Sequence, residues 1–380
     1  MTGMRIVIGL EDFSSFAGTE TYARTVAAEL QRLGHEVIVH AATTGPIADQ
    51  VREQGIEVVE SETELPATCD AVLSQDAASA FSLAGRYPGA RRLMVCHSDY
   101  FMSQSPPQLP GVCDAVIVMN DRVGRFVESL GSPGGGVPVI RMTQPVDLKR
   151  FGVRGKRTGG PRRALILGNY LTPDRASDLD AVCRQAGLEP VIRGATTTPV
   201  ANPEQVIADA DLVIGLGRCI VEAMAGRRAA FVHGIAGSDG WVTADSYAAL
   251  ESDGFGGTAT DLVHDRDRLA ADLAGWDPEM GAVNRQIATG RHDSAAHAVE
   301  LVGHLCGGPT NSAPSPEQAD ELARLVRAER LSWSRYVEAM NEVRALRDEL
   351  GQAEELLDSR RYRIGSRLAA PIDAIRNRRR

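Results

Sequence analysis

Residues 215–226 hold the residue types best suited to bind a charged ligand. An apolar run at residues 211–214 precedes a glycine turn, and the turn opens a segment typical of a helix. Such a helix offers free backbone N–H groups and the positive end of its dipole, which together bind anions such as a diphosphate. Glu222, in the early turns of this helix, is placed to accept hydrogen bonds from ribose hydroxyls.

Composition limits the classes of protein to which the chain belongs. Of its 380 residues 43% are hydrophobic, enough for two ordinary cores, and the formal net charge of −9 argues against general nucleic-acid binding. The cysteines show neither CxxC spacing nor a zinc pattern, so we expect reduced thiols. Since no leader segment and no run of about 18 apolar residues occurs, we expect a cytoplasmic protein without a membrane span.

Short apolar strands alternate with helical patterns along most of the chain, which is typical of parallel, doubly wound sheets. The alternation stops at two segments rich in glycine and in basic residues or proline, 152–161 and 307–316, which we interpret as linkers. We therefore predict an α/β protein with Rossmann-like domains at residues 1–151 and 162–306. The economical arrangement is two domains that face each other across a cleft.

The C-terminal part differs in composition from the rest of the chain. Residues 317–358 are rich in Ala, Glu, Arg and Leu, and apolar positions recur at steps of three and four with one phase break. This pattern predicts a coiled-coil-like helical extension and hence a homodimer, although it also fits a single amphipathic helix docked on its own protein. Residues 359–380 form a basic tail, with eight arginines against Asp373, which either binds an anionic membrane surface peripherally or is disordered.

Four segments in order resemble the GT-B-fold glycosyltransferases of the retaining, nucleotide-sugar-using group, namely the bacterial glycosyltransferase family 4-like proteins. They are a glycine-rich loop and helix at residues 18–37, a strand end at 95–98, a strand, turn and V-D-x-x-x-F pattern at 139–151, and the segment around Glu222. The resemblance covers roughly residues 4–305. It implies the GT-B fold, with an acceptor-binding first domain and a second domain that binds the nucleotide-sugar donor.

The resemblance also suggests site residues. His97 and Glu222 are the expected catalytic-site residues, with His97 contacting donor hydroxyls rather than acting as a base. For the donor site we predict Asn169, Arg175, Gly217, Arg218, Glu222, Gly237, Ser238 and Asp239. Gly18 and Thr19 would form the acceptor loop, although a turn and a helix cap would explain them equally well.

The chain departs from the family pattern at two places. The first glutamate of the usual E-x7-E pair would stand at position 214, where the chain has Ile214. The usual arginine and lysine after the first strand of the second domain are replaced by Asn169 and, one residue out of step, Arg175. We expect Arg218 to supply part of the missing positive charge, because a guanidinium group suits phosphate oxygens.

We predict a glycosyltransferase of the hexosyltransferase type that moves a sugar from a nucleoside-diphosphate sugar to a glycan, lipid-linked or small-molecule acceptor in cell-envelope or glycan biosynthesis. No Asp-x-Asp pattern follows a strand, so we expect no metal and no cofactor other than the nucleotide-sugar co-substrate. Ile214 leaves open a catalytically inactive GT-B scaffold or partner protein. A nucleotide-sugar epimerase is a third interpretation, against which the appended C-terminus argues because an epimerase needs no acceptor.

Overall fold

The computed structural model describes residues 3–152, 162–168, 171–194, 198, 200–260, 265–307 and 310–359. The chain divides into two compact units, Met1–Arg324 and Leu325–Arg380. The described residues of the first unit form two β-sheets with helices, and those of the second belong mainly to one long helix.

The first sheet is parallel and, in the described residues, has seven strands in the order β3-β2-β1-β4-β5-β6-β7. Its strands are β1 (Arg5–Phe13), β2 (Glu36–Thr44), β3 (Glu57–Val59), β4 (Ala71–Ser74), β5 (Arg91–Cys96), β6 (Ala115–Val118) and β7 (Val139–Arg141). The accompanying helices are α1 (Gly18–Arg32), α2 (Pro46–Glu53), α3 (Ala77–Arg86) and α4 (Asp121–Ser129). The apolar strand side chains are buried on both faces, which confirms the predicted doubly wound arrangement.

The second sheet has, in the described part of the chain, five strands in the order β12-β11-β10-β8-β9. Its strands are β8 (Arg163–Leu167), β9 (Glu189–Arg193), β10 (Leu212–Gly215), β11 (Ala229–His233) and β12 (Ser238–Trp241). The helices that follow in the chain are α5 (Pro173–Gln185), α6 (Pro203–Ala208), α7 (Arg218–Ala225), α8 (Tyr247–Ser252), α9 (Arg266–Ala274), α10 (Pro278–Arg291), α11 (Ser294–Cys306) and α12 (Pro316–Asp358). Helix α12 is the predicted C-terminal helical extension.

The glycine-rich segment 234–243 contains strand β12. This strand is antiparallel to β11, in contrast to the other strand pairs of the sheet. Trp241 packs edge-on against Phe231 with 4.9 Å between ring centroids, and Ser238 Oγ donates to Val232 O over 3.3 Å. Cross-strand contacts therefore decide the structure of a short segment whose local sequence favours a turn.

Both sheets contain a point at which the strand order reverses, and these points fix where a ligand would bind. In the first sheet the reversal lies between β1 and β4, and in the second between β8 and β10. Crevices at the carboxyl ends of such strands are the usual ligand sites of open α/β sheets. The loops after β1, β4, β8 and β10 therefore border the expected ligand sites.

The predicted second linker, residues 307–316, is packed against the first sheet over its described C-terminal part. Asn311 N donates to Asp114 Oδ1 over 2.6 Å, and the guanidinium of Arg92 donates to Asn311 O. A Cβ on Gly111, whose φ is +84°, would meet Ser312 O at 1.8 Å. Residues 311–315 are therefore docked on the first sheet, against which the preceding helix α11 also packs.

Candidate functional site

The glycine turn after β10 lies at the reversal point of the second sheet. It passes close to the end of β8 and leads into helix α7. A Cβ on Gly215 would lie 2.5 Å from Leu167 O at the end of β8, and Gly217 has a φ of +63°. Both positions therefore favour glycine. Gly217 also donates its N–H to Phe255 O over 2.9 Å, which fixes the turn from which α7 begins.

Arg218 and Glu222 form a buried ion pair one turn apart on α7. Arg218 Nε donates to Glu222 Oε1 over 2.9 Å, and the two side chains are 12% and 6% exposed. Burial raises the pKa of Glu222, while the charges of Arg218 and Arg150 oppose that shift. Burial likewise lowers the pKa of Arg218, opposed by the charge of Glu222. The two charges therefore compensate each other in a poorly solvated place.

Arg218 also connects the two sheet regions. Its Nη2 donates to Thr25 Oγ1 on α1 over 3.2 Å, across 193 residues of sequence. Its Nη1 is buried and has no hydrogen-bond partner among the described residues. A guanidinium that lacks a partner for one of its donors retains hydrogen-bonding capacity for an anion.

His97 follows β5 and lies beside the same α1. Its Nε2 is 2.7 Å from Gln75 Oε1, and its ring packs edge-on against that of Tyr22 with 5.0 Å between centroids. Burial, and to a smaller extent the charge of Arg218, lower the pKa of His97 to about 3. The ring is therefore neutral near pH 7. The structure thus brings together His97, Arg218 and Glu222, three residues predicted from widely separated segments.

Tyr22 and His297 extend this cluster. Tyr22 is fully buried, and its hydroxyl lies 3.1 Å from His297 Nε2 on α11. The His297 ring also bonds the main chain of Thr143, and burial lowers its pKa to about 4. Sequence reasoning did not single out Tyr22, Thr25, Gln75 or His297. The one available signal was that polar Gln75 directly follows a buried strand.

The predicted acceptor loop lies at the start of α1. Gly18 is the first residue of the helix, and a Cβ there would meet no atom within 4 Å. Thr19 Oγ1 accepts from Gln104 Nε2 over 3.2 Å, which ties α1 to the loop after β5. The space beside Gly18 is thus open at the reversal point of the first sheet.

The other predicted donor residues make contacts within the protein. Arg175 Nη1 donates to Gly234 O over 3.2 Å. Asp239 is buried and accepts from Ala259 N and from the N–H and hydroxyl of Thr260. Gly237 lies so close to Gly257 that a Cβ would come within 2.2 Å of its carbonyl oxygen. Gly237, Ser238 and Asp239 therefore fasten β12 and its neighbouring loop, whereas Asn169 lies outside the described residues.

Ile214, at the position of the first glutamate of the E-x7-E pair, is fully buried within β10. Its side chain belongs to the core of the second sheet. In the described segments no group of three or more His, Cys, Asp or Glu side chains is arranged to hold a metal ion. Nor is any helix in them long and apolar enough to cross a bilayer.

Two doubly wound sheets with helices in one chain are the arrangement of the GT-B class of fold. Solved structures of GT-B glycosyltransferases match the chain at low sequence identity. A glycosyltransferase from Rickettsia africae ESF-5 has a TM-score of 0.55 and 13% identity, covering 81% of this chain and 100% of that one. HepE of Anabaena, solved with UDP and glucose, has a TM-score of 0.55 and 12% identity, covering 80% and 99%.

An α-glucosyltransferase solved with UDP and a 13-mer DNA is also similar in fold, with a TM-score of 0.56 and 12% identity over 80% of this chain and 100% of that one. No protein-family model and no curated protein sequence matches the chain. These likenesses confirm the predicted GT-B fold.

Proposed function

We propose that the protein is a glycosyltransferase that moves a sugar from a nucleoside-diphosphate sugar to an acceptor. The observation that carries this proposal is the meeting of Arg218 and Glu222, from the second sheet, with His97 from the first. A guanidinium can bind the diphosphate of a nucleotide-sugar donor, and a carboxylate and a neutral imidazole can accept hydrogen bonds from its hydroxyls. Arg218 and Glu222 follow β10 at the reversal point of the second sheet, and His97 contacts Gln75, which follows β4 at the reversal point of the first. These positions support the same function.

Arg218 is the group best suited to stabilise the departing diphosphate. Its guanidinium has one buried nitrogen without a partner in the described part of the chain, and it lies at the start of α7, where backbone N–H groups add positive potential. A donor that enters between α7 and α1 must replace the Arg218–Thr25 hydrogen bond. Fixed cations of this kind support a metal-independent reaction, and the resemblance to family 4-like enzymes supports retention of anomeric configuration.

The donor site is tested by calorimetric titration of the full chain with UDP, GDP, ADP and TDP in the presence of EDTA. We expect one of these nucleotides to bind with micromolar affinity and the binding to be lost in Glu222→Ala. Glu300→Ala, an exposed glutamate on α11, is the matched control and should bind as the parent protein does. Unchanged binding by Glu222→Ala would show that the ribose contact lies elsewhere.

A non-catalytic GT-B scaffold is the second candidate function, and two observations favour it. Ile214 is sealed in the core where the family has a donor-sugar carboxylate, and Glu222 is already paired with Arg218. If no nucleotide binds at millimolar concentration, the scaffold becomes the better assignment. An epimerase would instead convert a nucleotide sugar without any acceptor, which product analysis distinguishes from transfer.

We propose further that the protein acts in the cytoplasm on an acceptor of glycan or envelope biosynthesis and associates as a homodimer through residues 317–358. In support, α12 carries a series of exposed large apolar side chains: Leu331, Trp333, Tyr336, Val337, Val343, Leu346, Leu350 and Leu357. Attraction of the basic tail to anionic lipid is a separate proposal, and residues 360–380 lie outside the described part of the chain. Sedimentation with anionic vesicles, compared with a chain ending at residue 359, tests it.

A further inference from the structure

Gln75 joins the end of β4 to His97 through both ends of one side-chain amide. The residue is fully buried, and its backbone N–H donates to Gly9 O over 2.8 Å at the reversal point of the first sheet. Its side-chain Nε2 donates to Leu73 O over 3.3 Å, while its Oε1 lies 2.7 Å from His97 Nε2. The residue is therefore held at three points, two of them on the side-chain amide.

These contacts determine which nitrogen of His97 carries the proton. An amide nitrogen only donates and an amide oxygen only accepts, so the neighbouring Leu73 carbonyl requires Nε2 of Gln75 on its side. The opposite orientation would set two buried acceptors against each other, which is costly. Oε1 consequently faces His97, and His97 Nε2 must be the donor. Because burial keeps this ring neutral, its Nδ1 has a free lone pair.

We propose that Gln75 is a positioning residue that holds His97 as the Nε2–H tautomer, so that His97 Nδ1 accepts a hydrogen bond from a hydroxyl group of the bound ligand. No group among the described residues hydrogen-bonds Nδ1. The edge-on contact with Tyr22 holds the imidazole from a second side. The tautomer follows from the protein alone, whereas identification of the ligand as a sugar rests on the proposed function.

The same geometry separates the roles of His97 and Arg218. An unprotonated ring nitrogen attracts O–H donors and repels phosphate or carboxylate oxygens, while a guanidinium attracts those anions. The single ring proton of His97 is on Nε2 and is hydrogen-bonded to Gln75 Oε1, so His97 does not supply it to a leaving group. His97 therefore binds the sugar hydroxyls of the donor, and Arg218 binds the diphosphate of the donor.

The tautomer is measured by long-range ¹H–¹⁵N correlation spectra of the full chain labelled with ¹⁵N-histidine, with His97 assigned from the His97→Gln variant. We expect a protonated Nε2 and an unprotonated Nδ1 in the ligand-free protein. Gln75→Leu should convert His97 to the other tautomer or to a mixture, whereas Gln31→Leu, which removes an exposed glutamine of α1, should leave the spectrum unchanged. A protonated Nδ1 in the parent protein, or an unchanged tautomer in folded Gln75→Leu, would overturn the proposal.

Gln75→Glu serves if Gln75→Leu does not fold, because a protonated carboxyl group donates to Leu73 O and accepts from His97 Nε2, as the amide does. We expect this variant to retain the Nε2 proton of His97. A protonated Nδ1 in Gln75→Glu would mean that position 75 does not set the tautomer of His97.

The hydroxyl contact is tested by calorimetry with UDP-glucose and with UDP as the probes. Gln75→Leu should weaken UDP-glucose binding about tenfold and leave UDP binding within about twofold, since the hydroxyls expected at His97 belong to the glucose unit, which UDP lacks. Equal weakening of both ligands would overturn the hydroxyl assignment. If another of the four nucleoside diphosphates binds in place of UDP, that nucleotide and its glucose conjugate are the probes. If none of the four binds, the proposed function and the sugar contact fail together, and the NMR result alone decides the tautomer.

Discussion

Acidification should destabilise the protein through two buried Tyr–His pairs. His297 bonds the Tyr22 hydroxyl and the Thr143 main chain, and His292 bonds the Tyr247 hydroxyl over 3.0 Å and Gln144 O over 2.7 Å. Burial lowers the pKa of each histidine to about 4. The two pairs thus hold Thr143 and Gln144, adjacent residues after β7, through hydrogen bonds that require both histidine rings to be neutral.

The sign and size follow from proton linkage. Between pH 6.5, the usual pKa of histidine, and pH 4, the unfolded chain binds more protons than the folded one, so the free energy of unfolding falls as the pH falls. A pH of 5 lies 1.5 units below the pKa of an unfolded histidine. Each histidine therefore lowers the free energy of unfolding at pH 5 by about 2 kcal/mol. Lowering the pH from 8 to 5 should therefore cost about 4 kcal/mol through the two pairs.

The assay is urea unfolding followed by tryptophan fluorescence at pH 8, 7, 6 and 5. His297→Gln should lose stability at pH 8, since Tyr22 is left with a poorer partner, but its loss between pH 8 and pH 5 should be about 2 kcal/mol smaller than that of the parent. His304→Gln, a change on the same helix outside both pairs, is the control. Subtracting the parent profile cancels the carboxylates common to both proteins. Identical pH profiles for the parent and His297→Gln would refute the linkage argument.

Three further changes test the site and the extension. Arg218→Lys should weaken nucleoside diphosphate binding roughly tenfold in calorimetry, because an ammonium lacks the planar fork with which a guanidinium keeps Glu222 while it contacts phosphate; undiminished binding would count against Arg218 as the phosphate ligand. Gly215→Ala should lower the free energy of unfolding by about 1–3 kcal/mol in urea titrations, since the added methyl meets Leu167 O at 2.5 Å; an unchanged midpoint would mean that the turn can relax. Leu350→Glu should convert a dimer to a monomer in analytical ultracentrifugation, because a charge on the apolar face opposes burial; a dimer that persists would exclude this part of α12 as the interface.

The candidate site was predictable where its residues lie close together in the sequence. Partners that are far apart along the chain were not predictable. Glu222 and Arg218 stand out because strand, glycine turn and helix start are all local signals within about ten residues. The residues that complete the cluster, such as Thr25 and His297, come from α1 and α11. Nothing near Thr25 in the sequence distinguishes it from other helix threonines, because its partner Arg218 is 193 residues away.

The fold was likewise predictable where it depends on local sequence patterns, and not where it depends on contacts between distant segments. The alternation of apolar strands and helices predicted the doubly wound sheets, because side-chain periodicity depends on neighbouring residues only. Strand β12 was missed because its pairing with β11 depends on cross-strand contacts such as Trp241 with Phe231. The packing of residues 311–319 against the first sheet was also missed. The composition of a segment rich in Pro, Ser and Gly does not show whether the segment is free or packed.

The sequence by itself determined the class of fold, the glycine turn at Gly217 and the absence of a glutamate at position 214, because each depends on residue type and short spacing. Only the tertiary structure decided that Arg218 pairs with Glu222 while reaching Thr25, that Asp239 is used by its neighbouring loop, and that Gln75 fixes His97. The physical reason is that hydrogen bonding and desolvation act through space. They are therefore defined only once the two sheets bring distant parts of the chain together.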